Sequence, residues 1–118
     1  MHSGAVLFIG FPVRQPTGRE QQGDRPAIVV GIPETVALPR FPLLLVVPVT
    51  TDRNQTWALT ASELYPRLPA GAGGLRVSSI ALLDQLCAVD RTRVGNYIGS
   101  LTASQYQPIR ECLLRLLS

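Results

Sequence analysis

The apolar residues of this chain are grouped in short runs separated by prolines, glycines and polar residues, and this pattern constrains the fold most. Three early runs, residues 4–11, 27–32 and 43–50, are six to eight residues long and rich in Val, Ile and Leu. Runs of this length are typical of buried strands rather than helices. The longest apolar stretch, residues 41–49, is interrupted by two prolines and is too short to span a bilayer. The sequence therefore predicts a mostly β protein without a transmembrane helix.

The shorter elements are predicted from the breakers between these runs. Exposed loops or turns are predicted at residues 12–24, 33–42 and 66–74. A short strand is predicted at residues 57–60, two strands within 75–88 that break near Leu82 and Leu83, and a single helical turn at 90–94. Pro48 has no N–H to donate to a sheet, so we expect a bulge or the end of the third strand near it.

The C-terminal segment carries the clearest helical signal. Thr102 is a suitable N-cap, and Gln105 follows at the spacing of a capping box. We expect Pro108 to make the helix start late or kink, because proline removes a backbone donor. Leu114 lies off the apolar face, as an exposed leucine or a subunit contact would. The apolar face is predicted to comprise Tyr106, Ile109, Leu113 and Leu116, widened by Cys112 and Leu117.

Taken together, these elements predict a small, mostly antiparallel β-barrel of short strands that ends in one helix. Such a fold serves many functions and identifies none of them. The chemistry must therefore be sought in the reactive side chains.

The reactive residues exclude several kinds of catalytic site. All eleven basic residues are Arg, and His2 is the single histidine. A lysine nucleophile, a phosphate-loop lysine and a histidine triad are therefore excluded, and the Arg-only composition fits either a coding bias or phosphate recognition. The net charge of +3 is spread along the chain, so composition alone indicates no nucleic-acid partner. Cys87 and Cys112 lack metal-site spacing and predict buried, reduced thiols in a cytosolic protein.

Four sequence blocks occur in an order that matches a known family. Their residues are Gly18, Glu20, Gln21 and 24–30 (DRPAIVV), 45–51 (LVVPVTT), 78–86 (SSIALLDQL), and 90–101 with Asp90, Arg93, Val94 and the ending IGSL. Together they resemble the signatures of the MazF/PemK family of toxin endoribonucleases over nearly the whole chain. Residues 4–6 (GAV) depart from the Gly-Asp-Ile or Gly-Asp-Val with which that family's first strand usually opens. Residues 57–74 have no clear counterpart and are candidates for setting which RNA sequence is cut.

The resemblance implies both a fold and an activity. Residues 1–118 are expected to form a single MazF/PemK-like toxin domain, an SH3-like antiparallel barrel also found in CcdB toxins. The implied activity is metal-independent, sequence-specific cleavage of single-stranded RNA. In that reaction the ribose 2′-hydroxyl attacks the adjacent phosphate and leaves 2′,3′-cyclic phosphate and 5′-hydroxyl ends. The implied partners are mRNA, a MazE-like antitoxin and a second copy in a cytoplasmic homodimer, with no cofactor and no membrane.

Three residues match or accompany the family's catalytic positions. Arg25 matches the catalytic arginine, Thr50 matches the catalytic threonine, and Glu20 is a candidate base or a positioner of Arg25. Thr51 takes the role of Thr50 if the strand register slips by one residue. The alternative interpretations are a surface cation at a strand start, a turn-capping hydroxyl and a solvated loop acid.

Arg53, Ser78 and Gln85 are the candidate RNA contacts, because Arg stacks on or forks to unpaired bases and Gln reads base edges. Their alternatives are a solvated turn arginine and a structural Ser and Gln. A competing function is a non-enzymatic toxin or binding module of the same fold, such as a CcdB-like gyrase poison. That poisoning depends on a C-terminal Trp-Gly-Ile, whereas this sequence ends Leu-Leu-Ser and its one tryptophan is Trp57.

Overall fold

The computed structural model describes residues 1–11 and 23–118, which form a mostly antiparallel sheet and two helices. The strands are β1 (Ala5–Phe11), β2 (Gly23–Gly31), β3 (Leu43–Thr51), β4 (Arg67–Leu68), β5 (Ser79–Ala81), β6 (Cys87–Asp90) and β7 (Val94–Ser100). The helices are α1 (Thr56–Leu59) and α2 (Ala103–Leu116). Most of the loop predicted at 12–24 lies outside the described residues. Its last two residues, Gly23 and Asp24, are wrongly placed in a loop and instead begin β2.

The strand order is β4-β5-β3-β2-β1-β7, and every pairing is antiparallel. Within the described ranges the two outer strands, β4 and β7, are not paired with each other, so the barrel-like sheet is open. The predicted fold class, mostly antiparallel β with a C-terminal helix, is confirmed.

The third strand runs straight through Pro48, which the sequence analysis placed at a bulge or strand end. Its first part, Leu43 to Val46, pairs with β6, and its last part, Val49 to Thr51, pairs with β5. Pro48 lies where β3 changes from β6 to β5 as its partner. Its missing N–H therefore interrupts neither the β3–β6 ladder nor the β3–β5 ladder. Its carbonyl accepts a hydrogen bond of 2.9 Å from the backbone N–H of Leu82.

The strands β1, β2 and β3 are buried on both faces, which explains their nearly continuous apolar sequences. On one face Val6, Ile28 and Val47 form a cluster with Ile109 and Cys112 of α2. The opposite face forms a second cluster that comprises Ala5, Leu7, Ile9, Phe11, Ala27, Val29, Leu44, Val46 and Val89. Successive residues of one strand therefore enter different clusters, and residues two apart enter the same one, as the period of two requires.

The C-terminal helix has the predicted cap and begins directly after it. Thr102 accepts a hydrogen bond from the N–H of Gln105, whose side chain accepts one from the N–H of Thr102. The helix begins at Ala103 and continues through Pro108, so the expected late start is wrong. Proline removes the partner of the carbonyl four residues earlier. That residue, Ser104, is exposed, so water can hydrogen bond to its carbonyl.

The apolar face of α2 is shorter than its sequence pattern. Ile109 and Cys112 are buried and Tyr106 and Leu113 are partly buried against the sheet. Leu116 and Leu117, predicted on this face, are 45% and 73% exposed because they follow the last turn that contacts the core. No helix of the described ranges is long and apolar enough to cross a bilayer.

Two other elements differ from the sequence prediction. Residues 57–60 were predicted as a strand, but residues 56–59 form the single turn α1, where Ala58 is buried with Ile80 and Leu82. This tertiary burial holds the segment as a helical turn. Strand β7 was not predicted, because its glycines and exposed polar residues conceal the alternation of a strand. The two predicted strands within 75–88 correspond to β5 and β6, separated by a 3-10 turn at Leu83–Gln85. The predicted helical turn corresponds to the 3-10 turn Arg91–Arg93.

Replacing Ile109 should show that α2 is part of the core. Ile109 is fully buried, whereas Leu38, in the segment between β2 and β3, is 95% exposed. We expect Ile109→Ala to lower the free energy of unfolding by about 2–5 kcal/mol, since it leaves a cavity. The matched change Leu38→Ala, at a leucine with no proposed contact, should cost less than about 0.5 kcal/mol. Urea unfolding measures both, and equal losses would contradict the packing of α2 on the sheet.

Candidate active site

A cavity of ≈ 440 Å³ lies where β2 begins and β3 ends. It brings together residues that are far apart in the sequence. Its lining comprises Phe8, Arg25, Pro26, Val49, Thr50, Thr51, Gly74, Leu75, Arg76, Val77, Ser79 and Ile98. Two cations and several hydroxyl groups therefore border one space with apolar walls.

Arg25 and Thr50 are the predicted catalytic residues, and both border this cavity. In the β2–β3 ladder Ala27 pairs with Pro48. If that register continues for two more residues, Arg25 lies directly opposite Thr50. Residues that lie opposite each other on antiparallel strands project from the same face of a sheet. Thr51 also borders the cavity, but the register places it one residue away from Arg25. The geometry therefore favours Thr50 over Thr51 as the partner of Arg25.

The turn after β3 is held by a network of side-chain hydrogen bonds. Arg67 donates from Nε to Asp52 Oδ2 at 2.6 Å and from Nη2 to Asn54 Oδ1 at 2.7 Å. Asp52 also accepts from the N–H of Asn54, which has a left-handed φ of 56°. Gln55 Nε2 donates to the carbonyl of Thr51 at 3.0 Å. These bonds fix the backbone that carries the two threonines.

The hydrogen bond from Arg67 is also the main reason that the pKa of Asp52 is lowered. The N–H of Asn54 contributes in the same direction, and desolvation opposes both. The carboxylate form of Asp52 is therefore the one that the turn stabilises.

The predicted RNA contacts lie outside the cavity lining. Arg53 and Ser78 are exposed, and the carbonyl of Ser78 accepts from the N–H of Asp52. Its neighbour Ser79 borders the cavity instead, with its hydroxyl donating to the carbonyl of Val77. Gln85 is half-buried in a 3-10 turn. Glu20, the remaining catalytic candidate, lies outside the described residues.

Two residues of the cavity were missed by the sequence analysis. Arg76 is exposed, and in the part of the chain that the structure describes it forms no ion pair. It directly precedes the 78–86 block, but no pattern singled it out. Phe8 is 41% exposed and is the one exposed side chain of β1. All its neighbours in the strand are apolar or Gly, so no alternation with polar residues could reveal its outward direction.

Residues 57–74 contribute to the cavity only through Gly74. Trp57 instead contacts Tyr65 edge to face, with ring centroids 4.9 Å apart. The hydroxyl of Tyr65 donates to Asp84 Oδ2 at 2.6 Å, and this bond raises the pKa of Tyr65 to about 12. This part of the chain packs beside the site rather than inside it.

Other reactive groups lie away from the cavity. His2 hydrogen bonds through Nε2 to the Ser100 hydroxyl. Cys87 and Cys112 form no disulfide, and burial raises the pKa of the Cys112 thiol. Among residues 1–11 and 23–118, no three His, Cys, Asp or Glu side chains come together as a metal-ligand set.

Comparison with known protein families matches residues 2–117 to the PemK-like, MazF-like toxin of type II toxin-antitoxin system. The chain therefore belongs to this family of toxins, and the resemblance seen in the sequence blocks is confirmed. No curated protein matched the sequence.

Two solved structures share the fold over almost the whole chain. MazF (Form-I) from Deinococcus radiodurans is 26% identical, with a TM-score of 0.73, and the match covers 99% of this chain and 96% of that chain. A MazE-MazF structure (Form-II) from the same organism is 25% identical, with a TM-score of 0.67 and coverage of 99% and 95%.

The Asp52–Arg67 pair predicts an acid-sensitive turn. A carboxyl group whose pKa is lowered in the folded protein stabilises the fold at pH values above its ordinary pKa of 3.8. This stabilisation is lost as the pH falls through the pKa of the folded state. Arg67→Gln should raise the pKa of Asp52 toward 3.8. The free energy of unfolding should then change less with pH near that value. Titration of the Asp52 carboxyl by NMR measures this. Arg53→Gln, on the same turn but without a bond to Asp52, should leave the pKa low; an equal rise would contradict the assignment.

Proposed function

We propose that this toxin is a metal-independent endoribonuclease that cuts single-stranded RNA at the cavity between β2 and β3. The observation that carries the proposal is that Arg25 and Thr50 border the same cavity. The β2–β3 register, extended two residues beyond the Ala27–Pro48 pair, supports it by setting the two residues opposite each other. The cavity, at ≈ 440 Å³, lies within the range of ligand sites. Family membership supports a toxin of the MazF kind.

The proposed reaction is a transesterification within the RNA. The ribose 2′-oxygen bonds to the adjacent phosphorus, and the bond from phosphorus to the 5′-oxygen breaks. The 2′-hydroxyl proton passes to a base, and the leaving 5′-oxygen gains a proton. The products are a 2′,3′-cyclic phosphate and a 5′-hydroxyl, and no water is consumed.

Each candidate residue has a separate task. Arg25 donates from its guanidinium fork to two phosphate oxygens, where negative charge develops in the transition state. The Thr50 hydroxyl donates a further hydrogen bond to a phosphate oxygen. Glu20 accepts the 2′-proton or positions Arg25. A site at the end of a buried strand is rigid, which suits a reaction that depends on in-line geometry.

The proposed RNA path continues beyond the cavity. Arg53 is exposed two residues after Thr51 of the cavity, and Ser78 is exposed directly before Ser79. Both residues therefore suit contacts with nucleotides that flank the cut. Gln85, half-buried, is the third proposed contact. The substrate is mRNA, which places the action in the cytoplasm.

The proposed partners are a second copy of the chain and a MazE-like antitoxin. A related MazF has been solved as MazE-MazF, which supports an antitoxin partner. Leu114, Leu116 and Leu117 of this chain remain exposed on and after α2, as a subunit contact would require. We expect sedimentation at micromolar concentration to show a dimer of the 12.8 kDa chain. A species of 12.8 kDa alone would contradict the homodimer.

Substitutions at the two central residues should separate their contributions to cleavage. Arg25→Ala should lower the cleavage rate on the order of 100- to 1000-fold, because it removes charge stabilisation. Arg25→Lys should also be severely impaired, since lysine keeps the charge but lacks the fork. Thr50→Ala should lower the cleavage rate less, because it removes one neutral hydrogen bond worth about 1–2 kcal/mol. That energy corresponds to a rate loss of roughly 5- to 30-fold. Cleavage of mixed single-stranded RNA in EDTA, with end-group analysis, measures these losses.

The control variant is Arg110→Ala, which removes an exposed arginine of α2 and should cut at the parent rate. Circular dichroism verifies that each variant folds. A folded Arg25→Ala protein that cuts near the parent rate would overturn the mechanism, and 5′-phosphate ends would overturn the transesterification. Thr51→Ala should lose less activity than Thr50→Ala; the reverse order would transfer the hydroxyl role to Thr51.

A further inference from the structure

A second cavity, of ≈ 410 Å³, adjoins the candidate active site. Phe8 borders both cavities, so the two spaces are neighbours at this residue. The second cavity is also lined by Gly10, Asp24, Arg93, Val94, Gly95 and Asn96. None of these residues belongs to the proposed reaction, and the cavity has no role so far.

Two glycines make room for this cavity. Gly10 pairs with Asp24 across β1 and β2, and a Cβ on Gly10 would lie 3.3 Å from Asp24 Oδ1. A Cβ on Gly95 would lie 3.2 Å from the carbonyl oxygen of Phe8. Side chains at either position would crowd the carboxylate of Asp24 or the backbone of Phe8. The cavity wall at these two positions is therefore bare backbone.

The polar groups of the cavity differ in charge and hydrogen-bonding capacity. Arg93 donates from Nη1 to the carbonyl of Gly10 at 3.3 Å, a long bond that directs the guanidinium toward β1. Asp24 and Arg93 both line the cavity, yet among the described residues they form no ion pair with each other. The exposed Asn96 adds an amide. The cavity thus offers an acceptor pair, a donor fork and an amide beside an aromatic ring.

We propose that this second cavity binds the guanine base of a nucleotide that flanks the scissile phosphate, and that Asp24 and Arg93 set this sequence preference. The inference rests on the proposed ribonuclease function. Guanine presents two adjacent donors, N1–H and the 2-amino group, which a carboxylate accepts together. It also presents the acceptors O6 and N7, which an arginine fork recognises. Proteins read unpaired RNA bases in this way, by hydrogen bonds to their edges and by stacking on aromatic rings.

The other bases fit these groups less well. Uracil offers a carboxylate a single ring N–H, and adenine and cytosine each offer one amino group without a neighbouring ring N–H. Only guanine satisfies both oxygens of Asp24 while leaving two acceptors for Arg93. Because Phe8 borders both cavities, a base bound in the second cavity can belong to a nucleotide whose phosphate lies in the first.

The test uses single-stranded RNA oligonucleotides that differ only in the two nucleotides flanking the cut, with each of the four bases at each position. We expect the parent protein to prefer guanine at one position by about 10- to 100-fold in kcat/KM. Asp24→Asn keeps the size but replaces one acceptor oxygen with a donor. At that position only, this variant should reduce the ratio of kcat/KM for the guanine oligonucleotide to kcat/KM for the others to a few-fold. Glu111→Gln, an exposed carboxylate change on α2, should leave the ratio unaltered.

A second arm compares guanine with inosine, and its first measurement uses the parent protein alone, so that measurement does not depend on the folding of a variant. Inosine lacks only the 2-amino group of guanine, so the parent should cleave the inosine oligonucleotide about 10-fold more slowly. Folded Asp24→Asn should cleave the guanine and inosine oligonucleotides at similar rates. Equal parent rates on guanine and inosine, or a guanine preference retained by Asp24→Asn, would overturn the inference while the ribonuclease function stands. A parent protein that cuts none of the oligonucleotides or mixed RNA would overturn the proposed function itself.

Discussion

Strand β3 pairs with three different strands, and the rest of the structure depends on this pairing. Along one edge it pairs with β2. Along the other it pairs first with β6 and then, beyond Pro48, with β5. Its residues enter both hydrophobic clusters, so β3 joins the two halves of the core. The end of such a strand has little freedom to move, and Thr50 and Thr51 are located there. The stability of the fold and the precision of the candidate site thus come from the same backbone hydrogen bonds.

Where the signal is local, the sequence predicts the structure well. The apolar runs of β1, β2 and β3 are strands because their residues are buried on both faces, and α2 begins where Thr102 and Gln105 form a capping box. Family blocks then predicted Arg25 and Thr50 as a pair. The structure brings these two residues to one cavity, although 24 positions separate them in the chain. Their roles in cleavage remain predictions.

Several features that sequence reasoning missed depend on distant contacts. The turn α1 is helical because Ala58 is buried against Ile80 and Leu82, which no local propensity reveals. Strand β7 gains its hydrogen bonds from β1 despite its glycines. Arg76 and Phe8 border the cavity through the arrangement of strands, and neither stands out in its own segment. Register and burial, rather than composition, decide these cases.

The position of Phe8 between two cavities has a consequence for how such a toxin diversifies. Under the two proposals, bond breaking occurs in one cavity and base choice in the other, and Phe8 is the one described residue that lines both. Substitutions at Asp24, Arg93 or Asn96 can accumulate without altering Arg25 or Thr50. On the proposed function, lineages that carry this architecture are free to acquire new cellular targets while inheriting an unchanged cutting reaction.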